Sequence, residues 1–446
     1  MVFKIDNSKL NRIFSLSLPI IAGMLSQNLL NLVDTAMVGR LGPEALAAVG
    51  ISSMVAFMFL APALGVTSGV QAISARKKGE GKVEETAFAL NSALFYSVVC
   101  SIFVFALGFY FAKPLFALIT ETESVATLAR EYFLIRISVC FFAIMNFAFR
   151  GYWNSIDLSK VYMNTLIVMH LTNIVLNYLL IFGKLGFPRM ESNGAALATA
   201  ISIVIGFFIY FAQAMKLASE NGFLKQFPSY KSLDLLTKIS LPSGIELTIT
   251  MTNVVALYWL VGKIGVNELA SLNIIMNIFM VALLPALGLG ITLATLSGQA
   301  LGAKNKDDAY AWGKEVTQLG TVLITLLALP FFFLPHWVLG IFTNSPEVIN
   351  VGVDALRIMG ITLGIEMIGY ILVEGLKGLG YSRKVSIISF IWQWLIFLPG
   401  AAVLILVFKQ GLLMVWIWQI IMHLIQSAIF IYIWKRRKWQ DLEFTH

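Results

Sequence analysis

Apolar runs of about 20 residues recur along the whole chain, separated by short polar segments. A helix of that length is what crosses a hydrocarbon core about 30 Å thick. The pattern predicts spans at 13–38, 46–75, 87–111, 126–152, 160–183 and 193–217. A second set follows at 236–262, 269–299, 311–334, 346–375, 384–407 and 411–434. Backbone groups in lipid must be bonded within their own segment, so twelve such runs predict an all-α polytopic membrane protein. The expected organisation is an N-lobe (1–217, helices 1–6), a polar linker (218–235), a C-lobe (236–434, helices 7–12) and a basic tail (435–446).

The two sets are copies. The segment Ser17-Leu18-Pro19 aligns with Ser240-Leu241-Pro242 at an offset of 223 residues. Val38-Gly39 then falls on Val261-Gly262, and Gly42 on Gly265. Pro62-Ala63-Leu64-Gly65 falls on Pro285-Ala286-Leu287-Gly288. Later the register moves by one, with Gly151 on Gly375 and Lys160-Val161 on Lys384-Val385. A doubled membrane chain is the ground plan of many secondary transporters, whose substrate sites lie between repeats.

Composition and charge fix orientation. The chain is 58% hydrophobic and 13% charged, with a formal net charge of +8. Grouping the loops alternately puts 22 Lys and Arg on one side and 7 on the other. The remaining three, Arg136, Arg150 and Arg357, fall inside spans. By the positive-inside rule the rich side, with both termini, is cytoplasmic, in a multi-pass inner-membrane protein. The same asymmetry explains the net charge without nucleic acid, since no basic folded domain is present. Cys100 and Cys140 lie in spans, so no disulfide framework is implied. The first span reads as a retained helix because Gln27, Asn28, Asn31 and Asp34 interrupt it.

Asp34 is the leading candidate for chemistry, because a mid-helix carboxylate costs about 2.5–3.5 kcal/mol on insertion scales. Gln27, Asn31 and Asp34 are spaced 4 and 3 apart and share one helix face. At the matched positions of the second half stand Thr250, Val254 and Leu257, so the shared fold does not require the carboxylate. Asn173 and Asn177 stand i, i+4 in the fifth span, with His170 a turn earlier and Thr199 in the next span. These groups either converge on Asp34 and fix its proton state, or tie helices together. In the second half Glu246 and Glu366 are secondary candidates, with His170; Glu374 reads as interfacial or paired with Lys377. Arg136 and Arg357 read as structural ion-pair residues. Pro19, Pro62, Pro242 and Pro285 stand in matched pairs and read as kinks or hinges, since proline removes a backbone donor. Phosphate-loop, metal-ligand and nucleophile-elbow patterns are absent, so an enzyme is not expected and energy must come from an ion gradient. His170, His336 and His423 have no acidic company nearby in sequence.

The residues resemble the multidrug and toxic compound extrusion (MATE) transporters over nearly the whole chain. Ser17-Leu18-Pro19 with Val33-Asp34-Thr35-Ala36-Met37-Val38-Gly39-Arg40-Leu41-Gly42 is similar to that family's first-helix signature. Asn173-Ile174-Val175-Leu176-Asn177-Tyr178 and Gly194-Ala195-Ala196-Leu197-Ala198-Thr199 resemble its fifth- and sixth-helix pattern. Leu296-Ser297-Gly298-Gln299 with Leu301-Gly302 resembles the end of its eighth helix. The resemblance implies two pseudo-symmetric six-helix lobes around a central cleft. It also implies export of amphipathic, often cationic compounds in exchange for H⁺ or Na⁺. Asp34 then maps onto the coupling carboxylate, Asn173 and Asn177 onto the fifth-helix polar pair and Thr199 onto the sixth-helix hydroxyl.

Two departures favour protons. Some members carry Asp where this chain has Asn177, and sodium-coupled NorM-like members carry Glu where it has Thr250. Their tenth-helix Asp falls near Met367, with Glu366 one residue off. Val33-Asp34-Thr35-Ala36 looks DinF-like, whereas Asn177-Tyr178 looks NorM-like. The expectation is a monomeric proton-coupled exporter of small organic compounds in a lipid bilayer, with no cofactor and no metal beyond a possible Na⁺ near Asp34. The alternatives are a Na⁺-coupled exporter of the same family, or a lipid-linked precursor flippase. A flippase would need a strongly cationic cleft, whereas Lys and Arg concentrate in the loops.

Overall fold

The computed structural model describes residues 6–120 and 122–442. Lys4, counted above among the cytoplasmic charges, and residues 443–446 of the basic tail lie outside the described residues. In chain order the α-helices are α1 (Asn7–Gly39), α2 (Pro43–Leu64), α3 (Val66–Gly79), α4 (Phe88–Ile119), α5 (Glu123–Ser138), α6 (Cys140–Ser155), α7 (Ser159–Phe182) and α8 (Glu191–Leu217). The second half continues with α9 (Tyr230–Gly262), α10 (Val266–Gly302), α11 (Lys306–Phe333), the short α12 (Pro335–Gly340), α13 (Pro346–Gly378), α14 (Ser382–Phe390), α15 (Leu398–Ala402) and α16 (Leu412–Arg436). Among the described residues eleven helices are long and apolar enough to cross a membrane. The pair α5 and α6, bent by 54° at Val139, makes a twelfth span. The expected spans correspond to these helices, most of them extended at one or both ends.

Local sequence explains the interruptions. Helix α2 starts at Pro43, whose missing N–H is one that a first turn leaves unbonded anyway. It follows Gly42, at φ 116. The helix runs unbroken through Pro19, Pro242 and Pro285, but after Pro62 it breaks at Gly65. The matched prolines therefore do not give matched breaks. The eleventh span passes through two π-helical stretches, Ile391–Phe397 and Val403–Val407, on either side of Pro399. Proline removes a bond from the helical ladder, and wider turns re-satisfy the freed carbonyls. Other carbonyls of this span also accept side-chain donors: Asn253 Nδ2 donates to that of Gln393 (3.1 Å), and Trp418 Nε1 to that of Phe397 (3.0 Å).

The chain forms two compact units, residues 22–244 and residues 6–21 with 245–442. The unit boundaries, after residues 21 and 244, are themselves one repeat offset of 223 apart. Each falls two residues past a matched proline, Pro19 or Pro242.

In the first unit, Ala48, Phe116, Phe133 and Ile137 form one core cluster, and Val38, Tyr132, Ile181 and Ala196 another. Residues 218–229, read from sequence within a linker, are docked on this unit. Asn91 Nδ2 donates to the Gly222 carbonyl (2.9 Å), Leu224 N donates to Asn91 Oδ1 (2.9 Å), and Asn221 Nδ2 donates to Tyr152 Oη (3.0 Å). Helix α9 then starts at Tyr230, and its first turns lie against α3, where Gly69 faces Leu236 and Ser240. Helices α2 and α9 meet backbone to backbone. A Cβ on Gly65 would overlap the Ser240 carbonyl and the Gly244 nitrogen, and one on Gly244 would overlap the Pro62 carbonyl.

The second unit is built around α13, whose Met359, Leu363, Met367 and Ile371 are fully buried. Small residues replace a hydrophobic driving force between helices in lipid by letting backbones approach. Gly360 and Gly364 do so here, a Cβ on the first meeting Phe332 N at 2.7 Å and one on the second overlapping Thr325 Oγ1. The first turns of α1 belong to this unit. Lys9 Nζ bonds Asp308 (3.1 Å) and Glu315 (3.0 Å), and Arg12 Nη2 donates to Gln299 Oε1 (2.6 Å). The described part of the tail folds back onto α11, with Trp439 stacked on Trp434 and Arg437 paired to Asp307 (2.6 Å).

Gly65→Ala and Gly244→Ala should each destabilise the protein by about 1–3 kcal/mol or more, because the atom met is backbone and cannot turn aside. Gly50→Ala, where a Cβ meets nothing within 4 Å, should be neutral or slightly stabilising. Thermal unfolding of the three purified variants checks this; equal midpoints would refute the crossing.

Candidate ion-coupling site

Three helices of the first unit supply the site. The periodicity of α1 carries Gln27, Asn31 and Asp34 along one face. His170, Asn173 and Asn177 follow one another at spacings of 3 and 4 on α7, so they also share a face. Helix α8 is drawn against α7 at its start. Gly194 has no Cβ to strike the Leu180 carbonyl 2.7 Å away, and Met190 N donates to that carbonyl at 2.9 Å. Thr199, one turn further on, is thereby brought to Asn173.

Asn177 Nδ2 donates to Asp34 Oδ1 at 2.6 Å and to Asn173 Oδ1 at 2.9 Å. Asn173 Nδ2 in turn donates to Thr199 Oγ1 at 3.1 Å, and that hydroxyl donates to the Ala195 carbonyl at 3.0 Å. Asp34 is half-buried, whereas Asn173 and Asn177 are 1% and 0% exposed. The chain of donors runs from Asn177 towards Asp34, which suits a carboxylate that only accepts. The Asn173 amide also fits turned over, still donating towards Asp34. With the Asn173 amide turned over, its nitrogen lies 3.0 Å from Asp34 Oδ1 and its oxygen accepts from Thr199 Oγ1 (3.1 Å) and Thr199 N (3.2 Å). Asn177 Oδ1 has no partner in the first arrangement. Turning Asn177 over as well would aim that oxygen at Asp34, where only a protonated acid could donate to it. The same heavy-atom positions thus accommodate both a carboxylate and a carboxylic acid.

A second polar group continues along α1. His170 Nε2 lies 3.1 Å from Gln27 Oε1, and Gln27 Nε2 donates to Asn31 Oδ1 at 3.3 Å. Gln27 and Asn31 are exposed at the α1 surface, whereas His170 is buried. Arg136 lies within Coulombic reach of Asp34. It forms no ion pair among the described residues, unlike Arg357, which lies 3.7 Å from Asp354. The expectation of a structural ion pair holds for Arg357 alone.

The secondary acids lie in the second unit. Glu246 Oε2 accepts from Lys377 Nζ at 2.9 Å, and Glu374 meets the same ammonium at 2.5 Å. Thr250 Oγ1 donates to Glu246 Oε1 at 3.2 Å, and Gln393 Nε2 to Thr250 Oγ1 at 3.3 Å. Glu366 is 2% exposed. It accepts from the Thr362 hydroxyl and faces His423 Nδ1 at 3.0 Å. The reading of His423 as a histidine without acidic company is therefore corrected. The partner stands 57 residues away on another span, and no local spacing signals it. Lys377 as the bridge between two glutamates was legible only for its i, i+3 neighbour Glu374.

Twelve apolar spans in two repeat-related sets, with a half-buried carboxylate held by amides from neighbouring spans, define a multi-pass membrane transporter. The comparisons make the assignment more specific. Residues 19–179 and 242–403 both match MatE, and the chain belongs to that family. It is 26% identical over 440 residues to the probable multidrug resistance protein NorM of Synechococcus sp., covering 95% of this chain and 93% of that one. It is 26% identical over 445 residues to the uncharacterized transporter YisQ of Bacillus subtilis, covering 96% and 94%. Among solved structures it resembles MATE in complex with MaD3S, at TM-score 0.86 and 25% identity over 96% of this chain and 95% of that one. An outward-facing multidrug resistance MATE family transporter of the MOP superfamily shares the fold, at TM-score 0.86 and 23% identity over 97% and 96%.

Removing one partner of a buried ion pair costs about 3–5 kcal/mol, because the remaining charge loses its counterion. Lys377→Met should therefore destabilise the protein by that order, leaving Glu246 and Glu374 facing each other. Lys377→Met combined with Glu246→Gln should recover part of the loss. Thermal unfolding of the single and double variants measures both; a single variant as stable as wild type would show that Lys377 is not the counterion.

Proposed function

We propose that this protein exports amphipathic organic cations from the cytoplasm across the inner membrane in exchange for protons, with Asp34 as the coupling group. The observation that carries this reading is the Asp34–Asn177–Asn173–Thr199 chain. A charged Asp34 receives N–H groups from α7. A neutral Asp34 donates, and the amides turn. Proton binding thereby removes a charge from α1 and reverses its bond to Asn177 of α7, which changes what α1 can hold on that face. A cation bound beside the carboxylate is released when the proton arrives, and reloading follows when the proton leaves on the other side. Family membership supports transport as such, and the names of the NorM relatives support multidrug substrates. The excess of Lys and Arg on alternate loops supports cytoplasmic termini. Pro19, Pro62, Pro242 and Pro285 are the positions where the ladder lacks a bond, and we assign the bending of the cycle to them. The working unit in this reading is the single chain, with the ion gradient in place of a cofactor.

Sodium is the second reading, and one observation favours it. Asn177 Oδ1 is buried without a hydrogen-bond partner beside Asp34, and a hard cation prefers such oxygens.

Dye efflux in inverted vesicles separates these readings. A pH gradient alone should drive wild-type transport, and Asp34→Asn should abolish it, since an amide binds no proton in this range. Asn177→Leu should slow it about tenfold or more, from the loss of a charge-assisted hydrogen bond. Transport that requires Na⁺ would replace the proton reading. Full pH-driven rate in Asp34→Asn would end the assignment of Asp34 and move attention to Glu246 and Glu366.

A further inference from the structure

Arg150 stands near the end of α6, inside the fourth span. Its guanidinium makes no ion pair and no hydrogen bond among the described residues, and its Nε is buried without a partner. It lies instead over two rings, 5.8 Å from the Phe147 centroid and 5.4 Å from that of Tyr162. The charges near this end of the span are engaged elsewhere. Asp157 is held by Lys78 (2.8 Å), and Glu85 by Lys77 (2.5 Å).

Tyr162 supplies a second, independent sign. It is 5% exposed, and its ring lies against the Arg150 guanidinium. The ring is fixed from two sides. Gly23 of α1 has no Cβ to strike Cε1, which would lie 2.8 Å away, and Tyr210 Oη donates to the Tyr162 carbonyl at 3.0 Å. A phenol and a guanidinium thus stand together, with the guanidinium Nε buried and unpartnered.

The repeat sharpens the anomaly. Gly151 falls on Gly375, so Arg150 falls on Glu374. In the second unit that position is neutralised internally by Lys377. In the first unit the matched position carries the opposite charge and no counterion. Arg150 stands two residues from the end of the predicted span and is partly exposed, so its charge is open to a ligand at that end. The two rings accept none of its N–H groups as oxygen acceptors would, and those groups remain available. That planar fork matches the two oxygens of a carboxylate or phosphate.

We propose that Arg150 and Tyr162 form an oxyanion-binding site in the first unit, distinct from the Asp34 cluster. Gly23 and Asp34 are eleven residues apart on α1, about 16 Å along a helix that rises 1.5 Å per residue, so the two sites bind separate groups. The oxyanion has two possible sources: the carboxylate of a transported compound and the phosphate of an anionic lipid.

Equilibrium binding to the purified full-length protein, without any gradient, tests this separately from coupling. Rhodamine B and its ethyl ester differ by one free carboxylate. Arg150→Gln should weaken rhodamine B binding about tenfold while leaving the ester unchanged, as expected for one charge-assisted contact. Arg150→Lys should restore part of the affinity, and Tyr162→Phe should weaken it about threefold, as for one neutral hydrogen bond. In parallel, native mass spectrometry counts phosphatidylglycerol retained over phosphatidylcholine. Loss of that preference in Arg150→Gln, with rhodamine B binding unchanged, assigns the site to a lipid headgroup. If Arg150→Gln also loses the ester, and so its fold, Tyr162→Phe and Arg150→Lys decide by the same two readouts. Variants that match wild type for rhodamine B and for phosphatidylglycerol would overturn the proposal.

Discussion

Everything in this molecule follows from the scarcity of water around its backbone. Inside a bilayer each N–H and C=O must be bonded within its own helix, and each polar side chain must find a protein partner. Helices consequently form wherever the apolar runs are long enough. Where proline removes a bond, as at Pro399, π turns flank it, and the carbonyls of Gln393 and Phe397 also accept side-chain donors from Asn253 and Trp418. The same scarcity makes polar side chains informative. Those that are paired, such as Glu246 with Lys377, stabilise the bundle. Those whose pairing can change, or is absent, are the candidates for function.

Asp34 and Arg150 illustrate the two cases. Asp34 has partners that suit either proton state, because amides present a donor and an acceptor on the same carbon and can turn. Arg150 has no such freedom, since a guanidinium only donates, and its Nε is buried without an acceptor among the described residues. The repeat makes both visible as departures. Leu257 stands where the second half could have repeated Asp34, and Glu374 where it could have repeated Arg150. Duplication preserved the helices and their glycine and proline positions, while the polar residues diverged.

The exchange of helix beginnings between the units is a consequence of the same duplication. The first turns of α1 are held in one unit by Lys9 and Arg12. The first turns of α9 are held in the other by the backbone contact at Gly65 and Gly244. The means differ, charge in one and bare backbone in the other, yet the boundary falls at the same repeat position. Each exchange begins two residues past a proline, where the helix has lost a bond and bends at least expense.

Much of this was legible in the chain. Span number and placement followed from apolar run length, the repeat from the matched Pro and Gly, and the Gln27–Asn31–Asp34 face from helical period. The pairing of Glu374 with Lys377 is an i, i+3 relation, and local spacing was enough. What lay beyond reach were the contacts between distant spans. Glu366 and His423 are 57 residues apart, Arg150 lies on a ring from the next span, and the backbone of α9 lies against Gly65 from more than 170 positions along the chain. Periodicity assigns a residue to a face of its own helix. Which helix meets that face, and at what depth, is set by side-chain volumes and close backbone approaches summed over the whole bundle, and only the tertiary structure decides it.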